Sequence, residues 1–386
     1  MIDPKDPLVC SLTYHGLVVD TDGGIDPCCQ YNNLLTKYEP EKIIKFYEFD
    51  RYQAEVQGAI DQDIKQGIRH DKCSKCWDEE SAGLTTIRQY WNQAFGAVAN
   101  PTVVPDNPLY HVEFRLGNFC NLKCFMCHPI ASSSVAAEQR AHKQQFMDLG
   151  IYNEVDLESY WETDEFKRFT ETSLKDVRYL HITGGEPFII PEVLTILDRV
   201  LHRANSINLS FNTNLTRVSD ALLDRLGQFK NLNLYISLEG VGAMNDYVRY
   251  PSKWADIVKN IERVQDQAPN AVLNVQHVFQ HTSVYAFPDL AKFQTQNQFR
   301  LFPTLIQGRD FLTFESVPPA DLDRFQTWLK TTDLVTEEHR AFMLNTVNSV
   351  QFDPALHQRY RQYVSVLDNI RGNNYDEIFN PSAVDK

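Results

Sequence analysis

The chain has 386 residues, 43% of them hydrophobic, which is enough for one large domain plus a smaller one. A formal net charge of −14 at pH 7 argues against a nucleic-acid-wrapping protein, which needs clustered Lys and Arg to displace counterions. No apolar stretch approaches the roughly 20 residues that a membrane-spanning helix needs.

The first residues, Met1 to Asp6, lack the basic-then-apolar pattern of a secretory signal, so a cytoplasmic protein is expected. In that compartment thiols stay reduced, and the eight cysteines are read as ligands or catalytic groups rather than as a disulfide framework. They sit at Cys10, Cys28, Cys29, Cys73, Cys76, Cys120, Cys124 and Cys127, with none beyond.

From the N-terminus, Leu17–Asp20 and the Asp22-Gly23-Gly24 turn predict a small hairpin. The segment Glu41–Gly67 reads as helical, and Asn100 to Pro108 reads as a turn-rich domain boundary. Six strand-like runs follow: His111–Leu116, Val177–Thr183, Ile207–Asn212, Leu232–Leu238, Val272–Phe279 and Phe299–Thr304. Amphipathic stretches lie between them at Pro191–Ala204, Asp220–Phe229, Trp254–Gln267 and Phe287–Gln296. This alternation predicts parallel β/α units. Six are too few for a closed eight-stranded barrel, so the expected fold is α/β, an open partial (β/α)6 TIM-like barrel. The expected domains are an N-terminal cysteine-rich module over 1–108, the barrel over 109–310, and a C-terminal helical cap over 311–386 with three helical stretches. The chemistry of such folds gathers at the C-terminal ends of the strands.

Directly after the run His111–Leu116 comes Cys120-Asn-Leu-Lys-Cys124-Phe-Met-Cys127. Thiolates at i, i+4 and i+7 on one loop can wrap one face of a cubane cluster. Stable redox clusters usually have four Cys ligands, so three leave one iron open for substrate. The Val177–Thr183 run leads into Gly184-Gly185-Glu186-Pro187. Its glycines permit close backbone approach to a ligand, Glu186 offers an acceptor for a cationic amine, and Pro187 fixes the turn. Later runs end in Asn212-Thr-Asn214 and Ser237-Leu-Glu239, with Arg249 in Tyr-Val-Arg-Tyr-Pro beyond, and Gln276-His277 lies on the fifth run.

The Cys-x3-Cys-x2-Cys loop and the Gly-Gly-Glu-Pro turn resemble the signatures of the radical S-adenosylmethionine (SAM) superfamily. The resemblance implies a [4Fe–4S] cluster on Cys120, Cys124 and Cys127 that binds SAM and cleaves it reductively. The resulting 5′-deoxyadenosyl radical then abstracts a substrate hydrogen. A flavodoxin- or ferredoxin-type donor would supply the electron. The pattern departs at Met126, where many members carry an aromatic; here Phe125 stands one place earlier. By the same resemblance Phe125, Met126, Gly184, Gly185, Glu186, Pro187, Asn212, Asn214, Ser237, Glu239, Arg249 and His277 form the cofactor-binding set.

Cys10-x12-Gly23-x4-Cys28 followed by Cys73-x2-Cys76 is similar to a Twitch domain, the half-length relative of the SPASM domain. That implies an auxiliary iron–sulfur cluster on Cys10, Cys28, Cys73 and Cys76. A structural zinc on the same thiolates is the alternative, and Cys29 is an alternative to Cys28. Relatives of this type often modify peptides or protein side chains, so a peptide or protein substrate is expected. A small-molecule or sugar substrate, or a non-catalytic metal-binding or electron-transfer scaffold, are the other readings.

Overall fold

The computed structural model describes residues 8–31, 43–81, 85–95 and 108–379. The strands are β1 (Gly16–Val19), β2 (Ile25–Asp26), β3 (His111–Leu116), β4 (Tyr179–Gly184), β5 (Asn208–Thr213), β6 (Asn231–Ser237), β7 (Ala271–Phe279) and β8 (Arg300–Leu305). They form an eight-stranded sheet in the order β2-β1-β3-β4-β5-β6-β7-β8. The fold is α/β, as expected, and is consistent with a partial TIM-like barrel. All six expected strand runs are present within two residues of their expected ends. The chain divides into two compact units. One contains Met1–Asn118, Leu157–Phe211 and Arg225–Leu232; the other contains Phe119–Asp156, Asn212–Asp224 and Asn233–Lys386. Among the described residues, no helix is long and apolar enough to cross a membrane.

In the first unit, β1 pairs antiparallel with β2 as the predicted hairpin, and parallel with β3. β3 then pairs parallel with β4, and β4 with β5. Period-2 alternation dictates the two faces. Val112, Phe114, Leu180, Ile182, Leu209 and Phe211 are all buried on one side. The other side carries a polar row in register, with Glu113 beside His181 and His181 beside Ser210. There His181 Nδ1 lies 2.8 Å from Ser210 Oγ, and Arg115 donates to Glu113 at 2.8 Å. Helix Glu192–Val200 buries Val193, Ile196, Leu197 and Val200, the i, i+3, i+4, i+7 stripe that drives a helix onto a core.

The helix expected over Glu41–Gly67 begins only at Phe49 and runs to Lys65, with a π-helical stretch at Gln53–Gln57. The residues just before it are extended because they pair with the hairpin: Ile25 N donates to Ile44 O at 2.9 Å, and Phe46 N to Gly23 O at 3.0 Å. Of the expected 100–108 boundary, all but Pro108 lies outside the described residues.

In the second unit, β7 pairs parallel with β8, and helix Trp254–Gln267 has the predicted bounds. Among the described residues, the segment expected to hold three helical stretches contains four α-helices: Pro319–Thr331, Glu337–Asn348, Pro354–Arg371 and Tyr375–Phe379. Gly372, left-handed at φ +66°, ends the third and lets a short fourth restart. An aromatic core joins Phe125 of the cysteine loop to Tyr247, Phe311, Tyr360, Tyr363 and Tyr375. That core is what anchors the cysteine loop.

Candidate active site

Cys120, Cys124 and Cys127 lie on an irregular loop that ends at helix Ser133–Ala141. The loop is fixed by its backbone. Lys123 N donates to Tyr250 O at 2.6 Å and Phe125 N to Val248 O at 2.7 Å. Ser132 Oγ donates to Leu122 O, and Ser134 Oγ to Cys120 O, each at 2.7 Å. The Phe125 ring is fully buried, 4.9 Å from that of Tyr363, so it serves the core, while Met126 packs partly buried on the same cluster. Burying one such ring stabilises by about 1.5–3 kcal/mol.

Around the loop is a charged network assembled from residues distant in the chain. Arg249 follows helix Ala243–Val248 and is 8% exposed. It donates through Nη2 to Glu239 Oε1 at 2.7 Å and through Nη1 to Cys124 Sγ at 3.7 Å, while its Nε is buried without a partner. Glu239, just beyond β6, is fully buried and accepts from Val278 N at 3.1 Å. Its Oε2 also lies 3.2 Å from His277 Nδ1. His277 is itself fully buried, with Nε2 3.0 Å from Ser283 Oγ and Nδ1 2.9 Å from Leu238 O. Both ring nitrogens are therefore occupied by the protein, so His277 braces Glu239. Burial holds the His277 pKa below the usual range against the pull of Glu239, which keeps the ring neutral.

Burial also raises the Cys124 thiol, opposed by the Arg249 charge, and pushes Cys127 up to about 12, opposed by Arg309. The Arg249 charge is disfavoured by burial, but Cys124 and Glu239 outweigh that and raise its pKa.

Asn214 lies just past β5 and donates to Asn121 Oδ1 of the cysteine loop at 3.1 Å, while its own Oδ1 accepts from Thr216 N at 2.9 Å. Asn212, next to last in β5, and Ser237, the last residue of β6, are half-buried. The sequence reading missed Asn121, and it missed Arg309 and Tyr363, which hold the loop's carbonyls. Asn121 was adjacent to a ligand and could have been named; nothing in the local pattern marks the other two.

The Gly-Gly-Glu-Pro turn belongs to the first unit. β4 ends at Gly184, and Pro187 opens the 3₁₀ turn Pro187–Ile189, capped by Glu186, whose Oε1 accepts from Phe188 N at 3.0 Å. Gly184 has φ +131°, and a Cβ there would meet Leu116 N at 2.7 Å. The glycine is thus required by the neighbouring strand. Gly184→Ala is expected to cost at least about 1–3 kcal/mol from backbone strain, with the clash added. Gly150→Ala, at φ +68° in open space, serves as the strain-only control. Urea unfolding of the two variants measures the difference.

Also in the first unit, Cys10, Cys28, Cys73 and Cys76 line one small cavity of about 20 Å³, with Tyr31, His70 and Trp77. Cys29 is not in its lining and is exposed. Arg88 lies over the Trp77 ring at 4.6 Å, is held by Glu80 at 2.6 Å, and donates to Val9 O at 2.9 Å.

Among the described residues, no three His, Cys, Asp or Glu side chains stand in metal-holding geometry. The donor chemistry of the loop nevertheless fits an iron–sulfur cluster. It offers three thiols and no carboxylate among its would-be ligands, next to two buried guanidiniums, Arg249 and Arg309, each with an unpartnered Nε. The N-terminal cavity has space for about one water-sized group.

The radical SAM superfamily model matches residues 114–281. Mycofactocin maturase MftC of Mycobacterium ulcerans is 27% identical over 154 residues, 40% of this chain and 36% of that protein. The Mycolicibacterium smegmatis protein of the same name is 25% identical over 156 residues, 40% of this chain and 34% of its own length. The chain thus spans about a third of the length of these curated relatives. Among solved structures, anSMEcpe with bound AdoMet aligns over 58% of each chain at 14% identity and a TM-score of 0.42. Streptococcus suis SuiB bound to S-adenosylmethionine aligns over 75% of this chain and 62% of that one, at 14% identity and a TM-score of 0.38. Over residues 114–281 this chain carries a radical SAM superfamily domain, the domain of an enzyme.

Proposed function

We propose that the chain is a radical SAM enzyme whose substrate is a peptide or protein side chain. The observation that carries this reading is the three-thiol loop of the matched domain, held against the buried guanidiniums of Arg249 and Arg309. A [4Fe–4S] cluster bound there would supply an electron to SAM, giving a 5′-deoxyadenosyl radical able to take a hydrogen from an unreactive carbon. The protein's part is placement. Cys120, Cys124 and Cys127 hold the cluster. Arg249 and Glu239 set the charge beside Cys124. Asn214 ties the end of β5 to the loop through Asn121. Asn212 and Ser237 supply polar atoms on β5 and β6. The two maturases among the relatives favour a substrate that is matured, hence a peptide. The electron donor in this reading is a flavodoxin or ferredoxin, and the setting is the cytoplasm.

For the N-terminal cysteines, the likeness to a Twitch domain favours an auxiliary iron–sulfur cluster, and a structural zinc on the same four thiolates is the alternative. Anaerobic reconstitution with iron and sulfide separates these readings. About eight irons per chain indicates two clusters. About four irons with retained zinc indicates one cluster and a structural ion. Release of 5′-deoxyadenosine after adding SAM and dithionite tests the enzyme reading itself. Full iron loading without SAM cleavage overturns it in favour of an electron-transfer or metal-binding scaffold.

A further inference from the structure

Three buried arginines surround the cysteine loop, and two have carboxylate partners. Arg249 pairs with Glu239, and Arg371 with Glu138 at 2.7 Å. The third, Arg309, follows β8, lies beyond the matched domain and is 4% exposed. Among the described residues, no carboxylate pairs with it. Its Nη1 donates to Phe125 O at 3.0 Å and to Tyr363 Oη at 2.5 Å. Its Nη2 donates to Cys127 O at 2.7 Å, and its Nε is buried without a partner. Tyr363 Oη in turn donates to Phe125 O at 2.7 Å. The guanidinium cannot lose its proton, so this is a permanent buried charge satisfied only by neutral oxygens. Such a charge is costly unless an anion compensates it.

We propose that Arg309 is a positioning residue for the catalytic cluster, and that the thiolate-bound cluster is the counter-anion of its charge. This rests on the proposed function. The geometry supports it in two ways. The planar fork grips the carbonyls on either side of Met126, which fixes the loop between Cys124 and Cys127 at the spacing that two ligands require. It also holds a positive charge within one residue of Cys127, where three thiolates and a four-iron core together are negative. Net charge and hydrogen bonding around a cluster set its reduction potential. Arg309 therefore raises that potential and makes the cluster easier to reduce. Tyr363, on helix Pro354–Arg371, steadies the fork without contributing charge.

The test uses the reconstituted full chain in the native form and as R309Q, R309K and Y363F. Its readouts are iron per chain, the rate of iron loss to a chelator, and the midpoint potential of the cluster by EPR-monitored titration without SAM. R309Q is expected to shift the midpoint to more negative values and to lose iron several-fold faster. R309K is expected to keep a near-native midpoint yet lose iron faster, because a point charge cannot span two carbonyls. Y363F is expected to leave the midpoint in place. A native midpoint in R309Q overturns the proposal while leaving the enzyme reading intact. If R309Q does not fold, a native chelation rate in R309K overturns it instead. A native chain that takes up no cluster at all sinks the proposed function itself, and this inference with it.

Discussion

Changing Glu239 to Gln is expected to destabilise the protein by about 3–5 kcal/mol, the usual cost of stranding one member of a buried ion pair. Glu239 is fully buried and holds Arg249, which is 8% exposed, by a 2.7 Å contact. The amide keeps an acceptor for Val278 N but leaves the Arg249 charge without its carboxylate, in a site that water cannot reach. His277 also loses the carboxylate that lies 3.2 Å from its Nδ1. Adding Arg249→Met removes the stranded charge, so the double variant is expected to recover part of the loss. Urea unfolding of the native chain, the two single variants and the double variant measures the coupling. A loss below about 1 kcal/mol in the Glu239 variant would mean that the pair is screened, contrary to its burial.

The strands were legible because their pattern is local. Alternation of the kind seen in His111–Leu116 and Asn208–Thr213 is written residue by residue, and the structure follows it nearly to the residue. The N-terminal helix was over-extended because Ile44 and Phe46 pair with a hairpin some twenty residues upstream in the chain, a tertiary contact that overrides helical composition. The short last helix, Tyr375–Phe379, spans five residues, too few to show a helical period in the sequence.

The site divides in the same way. The cysteine loop, Glu239 just past β6 and Arg249 in its Tyr-Val-Arg-Tyr-Pro run were visible as chemistry in the sequence. The reach of Arg249 to Cys124, 125 positions away, was not. Nor was the grip of Arg309 on Cys127 O, across 182 positions. An arginine in a loop after an ordinary strand carries no local mark of a buried role. His277 illustrates the converse. Alternation puts only one of Gln276 and His277 inward, and the burial of His277 and its use as a brace follow from two partners, Leu238 and Ser283, that only the fold brings to it.

Cys124→Ala is expected to abolish SAM cleavage and loop-bound iron while leaving the fold nearly intact. The loop's shape does not depend on its thiols. It is held by Lys123 N on Tyr250 O, Phe125 N on Val248 O, Ser132 on Leu122 O and the buried Phe125 ring. Removing one buried sulfur, which accepts a 3.7 Å contact from Arg249, costs about 1 kcal/mol, in the ordinary range of point substitutions. Thermal unfolding should therefore move by only a few degrees, while iron content falls by the share of one cluster. Cys73→Ala makes the complementary case, since it touches only the N-terminal cavity. It should spare loop-bound iron and basal SAM cleavage, and lower the content of whichever metal the cavity holds. Reciprocal losses of this kind require two separate metal sites with separate ligand sets. If Cys124→Ala still cleaves SAM, the loop is not the cluster's cradle. If instead both variants lose all iron together, the cysteines serve one shared centre, and the division into a loop set and a cavity set is wrong.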